Sequence, residues 1–180
     1  LSNNMIGAWA LVQNDFATYI PGLGVAALGA NGALQYDLVN TFTGGVATDN
    51  VRLTATTTIP SGGKTVNAVS MSGSNIALNF TAGTDVLNVV SGGLIGPNNN
   101  QTIGTAAIRG VLTAGGTSAG TNPLYLYNRA NTLTVNSQIV DNGSGITKLV
   151  LNASGGTIAL GNGTSTYTGG TIVNGGTVTL

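Results

Sequence analysis

The chain has 180 residues, 6% of them charged and 42% hydrophobic, with 29 glycines, no net charge and neither Cys nor His. This mix excludes a disulfide scaffold and thiolate or imidazole metal sites, and it is unlike a disordered tail, which would be poor in β-branched residues and rich in net charge. The five cations, Arg52, Lys64, Arg109, Arg129 and Lys148, are scattered singly, so no basic stripe exists for nucleic acid, and no apolar run approaches the roughly 18 residues of a membrane span.

Residues 1–45 read as a distinct N-terminal segment, or as the irregular first coils of a longer repeat region. Gly7-Ala8-Trp9-Ala10-Leu11-Val12 fits a strand, and Trp9, the one tryptophan, is assigned to packing. From residue 46 to 180 the chain carries short alternating runs punctuated by Gly, Asn and Ser. Ile76-Ala77-Leu78-Asn79-Phe80 comes first, then Leu87-Asn88-Val89, Thr132-Leu133-Thr134-Val135, Leu149-Val150-Leu151, Thr157-Ile158-Ala159-Leu160 and Thr177-Val178-Thr179-Leu180. Side chains alternate faces along a strand, so Leu133 and Ile158 are expected inside and Thr134 outside. No run follows a 3.6-residue period. Thr, Val and Ile favour a pleated, half-buried surface, and the expected fold class is all-β.

The apolar positions Leu112, Leu133, Ile158 and Val178 stand 21, 25 and 20 residues apart, a recurrence of solenoid length. Asn-Gly at 31–32, 142–143, 162–163 and 174–175, and Gly-Gly at 92–93, 155–156 and 175–176 among others, supply the positive φ angles of corners. An antiparallel sandwich would use the same turns. The recurrence and the shortness of the strands favour a parallel β-helix, or β-solenoid, with coils of about 20–25 residues. The chain opens on Leu1 and closes on a strand-like run, with no charge or Pro in its first ten or last five residues. Both ends therefore read as cuts in a longer polypeptide or as edges open to further copies.

The last 25 residues, GTIALGNGTSTYTGGTIVNGGTVTL, carry Gly156-Thr157-Ile158-Ala159-Leu160, then Tyr167-Thr168-Gly169-Gly170-Thr171, then Gly176-Thr177-Val178-Thr179-Leu180. This order resembles the repeat of the autotransporter-associated β-strand repeat family. It departs in having Ser165 where the family usually has Asn two residues before the Tyr. Leu124 to Gly143, and the segments Ile6–Ala10 and Asp15–Tyr19, also look like sequence found in such proteins. The resemblance implies a right-handed parallel β-helix and an exported bacterial passenger, attached to the surface or released. It implies no receptor.

Gly116-Thr117-Ser118-Ala119-Gly120 fits a nucleophile elbow, but the chain has no His to act as base. Gly22 to Ala27 fits a loose dinucleotide pattern without its strand-then-helix context. Asp15, Asp37, Asp49, Asp85 and Asp141 are far apart and read as turn residues, not as a carboxylate pair. The glycosylation-type triplets at Asn79, Asn100, Asn142, Asn152 and Asn162 read as chance in a chain so rich in Asn and Thr. No catalytic, metal or cofactor residue is assigned. The expected function is a structural or adhesive rod or fibre on or outside a bacterial cell, not an enzyme. Its partners would be adjacent coils of a parent chain or further copies end to end, with a surface or glycan ligand left open. The alternatives are a carbohydrate-active β-helix enzyme, either lyase or hydrolase, and a viral tail-fibre segment.

Overall fold

The computed structural model describes residues 1–30, 32–161 and 164–180, so Asn31, Asn162 and Gly163, with the turns and the triplet expected there, lie outside the described residues. Every regular element among the described residues is a strand, which agrees with the all-β expectation. The first three strands, β1 (Leu11–Val12), β2 (Asp15–Ile20) and β3 (Gly24–Ala27), form a small antiparallel sheet in that order. Gln13, at φ 57°, turns the chain from β1 into β2.

The remaining strands form one thirteen-stranded sheet in which every neighbour pair is parallel. They are β4 (Leu38–Val39), β5 (Asn50–Leu53), β6 (Thr57–Ile59), β7 (Lys64–Met71), β8 (Ala77–Phe80), β9 (Val86–Gly96) and β10 (Gln101–Ile103), followed by β11 (Val111–Ala114), β12 (Gly120–Asn128), β13 (Asn131–Val135), β14 (Gln138–Ile139), β15 (Gly145–Leu160) and β16 (Thr171–Thr179). Its main path runs β4-β5-β7-β9-β12-β15 along one arm and returns through β13-β10-β8-β6 along another. The long strand β15 joins the arms, because Gly145–Asn152 pairs with β12 and Gly156–Leu160 with β13.

Alternation then builds the core. Val51, Val69, Leu94, Leu126 and Leu151 are register partners from strand to strand along the first arm, and all are fully buried. The returning arm sets Leu78, Ile103 and Val135 in a second ladder of partners, and both ladders belong to one hydrophobic cluster. Corners fall inside the long strands. Gly92 sits at φ 78°, and a Cβ there would lie 1.8 Å from the Pro123 carbonyl oxygen, so only glycine lets β9 bend against β12.

A regular β-helix with coils of 20–25 residues is not what the structure shows. The chain begins with an antiparallel sheet, and the large sheet has no fixed period. Leu38 faces Val51, Asn50 faces Ala68, and Gly93 faces Tyr125, spacings of 13, 18 and 32 residues. The physical reason is that alternation fixes only the face of each strand. The connecting loops vary in length independently, and parallel pairing tolerates that as long as apolar faces meet.

The N-terminal segment packs beside the large sheet. Met5, Ala8, Phe16, Leu28 and Tyr36 cluster with Ala68 and Ile95, and Tyr125 and Tyr127 flank them. An amide chain ties the two together: Asn50 Nδ2 donates to Asn3 O (2.7 Å), Asn67 Nδ2 to Asn50 Oδ1 (2.7 Å) and Asn3 Nδ2 to Asn67 Oδ1 (3.0 Å). Buried amides satisfied in this way fix the position of the segment. The large sheet already begins at Leu38, inside the 1–45 segment.

Candidate functional site: a half-buried charge cluster and a sheet edge

Four of the five carboxylates accept hydrogen bonds in turns. Asp37 Oδ2 accepts the Asn50 N–H (2.7 Å), Asp49 Oδ2 the Val46 N–H (2.9 Å), and Asp85 the Ala82 and Gly62 N–H groups (2.6 and 2.8 Å). Asp141 accepts the N–H groups of Thr147 and Thr168 and the Thr168 hydroxyl. Desolvation works against the Asp141 charge, yet these hydrogen bonds hold its carboxyl below its ordinary range. Ser118 is exposed in the loop between β11 and β12, and Gly22 lies in the turn between β2 and β3.

The fifth carboxylate is different. The Tyr36 hydroxyl donates to Asp15 Oδ1, which also accepts the Phe16 N–H (3.0 Å). Arg52 Nη2 lies 3.8 Å from Asp15 Oδ2, its guanidinium carbon is 5.6 Å from the Tyr36 ring centre, and its Nε donates to Ser72 Oγ (2.9 Å). Burial pushes the Asp15 carboxyl up, against the hydrogen bond from Tyr36 and the Arg52 charge. Burial, and then the Asp15 charge, push the Tyr36 phenol up. Asp15, Arg52 and Ser72 border a cleft of about 310 Å³, whose polar lining also includes Gln13, Asn14 and Asn98. Asp15 already has three partners, so the cluster clamps the antiparallel sheet to β5 and leaves no free carboxylate for proton transfer. Sequence reasoning missed it because Tyr36 and Arg52 are brought to Asp15 only by the fold.

The other candidate is the edge at β16. Along the first arm Val173 is the next register partner after Leu151, yet it is 53% exposed where Leu151 is fully buried. Ile172 is 40% exposed, and β16 pairs only with β15 among the described strands. A hollow of about 390 Å³ opens into the end of the core, lined by Val135, Ile139, Leu160, Tyr167, Thr171 and Leu180. No charged residue and no Pro occurs from Leu149 to Leu180. The arrangement offers unpaired backbone groups above an apolar end, and its chemistry is strand addition. No protein-family model, no curated protein and no solved structure matches this chain.

Proposed function

We propose that this chain is a structural and adhesive protein of the bacterial exterior, which self-associates by adding a strand of a second copy to the β16 edge. The observation that carries the reading is the make-up of β16: Val173, in register with the buried Leu151, is 53% exposed on a nine-residue strand without charge or Pro, a strand suited to pair with a further one, from a copy or from a longer chain. Proteins that keep such an edge monomeric commonly place lysines or prolines on it; β16 has neither, and its register against β15 breaks twice. The absence of net charge removes the repulsion between copies. The export and surface setting rests on the resemblance of residues 156–180 to the autotransporter-associated β-strand repeat. The engagement of all five carboxylates in structural hydrogen bonds supports a non-enzymatic role.

The test is light scattering with size-exclusion chromatography across a hundredfold range of protein concentration. The expected result is a mass above that of one chain that grows with concentration, and its loss in Val173→Lys. Monomers throughout, with the native and Val173→Lys chains alike, would refute the reading.

A further inference from the structure

Among the described residues, Trp9 is the one large aromatic side chain left mostly in solvent, at 68% exposure. A packing role does not account for it. Its indole lies close over Gly7. A Cβ on Gly7 would lie 2.6 Å from Trp9 Nε1 and 3.1 Å from Cδ1, so the pyrrole half of the ring occupies space that only glycine leaves vacant. The ring borders a small hollow of about 80 Å³, shared with Tyr125, Tyr127, Val150, Asn152 and Asn174. Tyr125 and Tyr127 point outward from β12, since Leu124 and Leu126, which alternate with them, are buried. Their register partners on β15 are Val150 and Asn152, so aromatic and amide groups stand on neighbouring rungs roughly 4.8 Å apart.

We infer that this surface is a platform for a neutral sugar ring of a glycan. The proposal rests on the adhesive part of the proposed function and names its ligand class. An exposed indole offers an apolar face to the C–H face of a pyranose, a contact of the same kind as stacking on other flat rings. Asn152, Asn174 and the tyrosine hydroxyls supply both donors and acceptors for ring hydroxyls. No side chain lining the hollow carries a charge, which matches an uncharged ligand and gives no purchase to an anionic one. A hollow of about 80 Å³ is too small to enclose a whole sugar, so the ring lies across its mouth while a substituent enters. The two faces required, one apolar and one hydroxyl-bearing, are those of a pyranose and not of an alkyl chain.

Because Trp9 is the only tryptophan, its emission reports on this site alone. The experiment titrates cellohexaose, chitohexaose and maltohexaose into the chain at a concentration low enough to keep it unassembled, and follows intrinsic tryptophan emission. In parallel, the chain is pelleted with the matching insoluble polysaccharides. A saturable change with at least one oligosaccharide is expected. Trp9→Ala should weaken pelleting by about tenfold or more, the loss of one stacked ring. Gly7→Ala should weaken it while leaving the far-UV spectrum unchanged, since it displaces the indole without removing it. No emission change with any of the three glycans would overturn the proposal, as would pelleting that survives Trp9→Ala, or a response to phosphatidylcholine vesicles alone. Failure of self-association at β16 would leave this result unaffected, so the two readings fail separately.

Discussion

Leu133→Ala, Leu133→Asp and Thr134→Asp together test whether alternation in β13 sets the inner and outer faces. Leu133 is fully buried, with Gln101 and Ile158 as its partners on either side, and its Cδ1 would lie 3.1 Å from a Cβ on Gly96. Truncation to Ala leaves a hole between two strands that hydrogen bonding prevents from closing, at a cost of about 2–5 kcal/mol. Asp at the same place adds an unpaired charge with no cation nearby in the core cluster, a further several kcal/mol. Thr134 is half-buried and faces outward between Thr102 and Ala159, so Thr134→Asp should stay within about 1 kcal/mol. A domain of this kind holds about 5–15 kcal/mol in total, so Leu133→Ala remains folded and Leu133→Asp is close to unfolded. The assay is urea unfolding followed by far-UV circular dichroism. With a slope of about 2–3 kcal/mol per M, Leu133→Ala lowers the midpoint by roughly 1–2 M. Equal midpoint shifts for Leu133→Asp and Thr134→Asp would refute the face assignment.

Gly92→Ala and Gly22→Ala share a positive φ, 78° and 82°, but only Gly92 faces backbone, the Pro123 oxygen at 1.8 Å, whereas nothing lies within 4 Å of Gly22. Gly22→Ala should therefore cost about 1 kcal/mol and Gly92→Ala several times more by the same urea assay, because β9 and β12 must separate. The acid limb of stability should carry two opposite contributions. Asp141, with its carboxyl held low, contributes stability that is present above the ordinary aspartate value of about 3.9 and is lost as pH falls through its lower folded value, so Asp141→Asn should flatten that loss. Asp15, with its carboxyl pushed up, contributes stability that is complete below about 3.9 and is lost as pH rises through its higher folded value, so Asp15→Asn should remove a decline on the rising side. Melting temperatures from pH 2.5 to 7 check both: a profile unchanged in Asp141→Asn would contradict the hydrogen bonds from Thr147 and Thr168, and one unchanged in Asp15→Asn would contradict the burial of that carboxyl.

Strand faces were legible because alternation is a local property. Thr132 to Val135 announces that Leu133 and Val135 point one way, and the fold buries both. Register was legible only in part. The 25- and 20-residue steps from Leu133 to Ile158 and on to Val178 are real partner pairs. The 21-residue step from Leu112 to Leu133 is not, since Leu112 pairs with Leu87 and Ile139 while Leu133 pairs with Gln101. An apolar spacing in the sequence cannot tell which arm a strand joins, and that is where the inferred period failed. The Asp15, Tyr36 and Arg52 cluster was illegible for the same reason: one member lies on each of three segments, and only their packing makes a half-buried ion pair. Trp9 was misjudged because aromatic residues near apolar runs are usually core, and the glycine two positions before it gave no signal until the close approach was seen.

The ends of the sheet are unequal, and this decides how copies can meet. At one end the arms finish in β4 and β6, of two and three residues, and such short strands protect an edge. At the other end β16 presents nine residues. A second copy offering its β4 would match two residues of that edge, whereas a copy offering its own β16 could match one of its unbroken runs, Thr171–Val173 or Thr177–Thr179. Two β16 edges can meet only antiparallel, about a two-fold axis, and a contact of that kind uses the same patch on both partners and closes. The hollow beside Leu160 and Leu180 would then be covered twice in one event. The first associated species should accordingly be a dimer. Growth beyond it would require the short β4 end to engage, which Val39, 54% exposed beside Asp37, is poorly built to do. A scattering mass that passes from one chain to long filaments with no dimer would show that the two ends dock on each other after all.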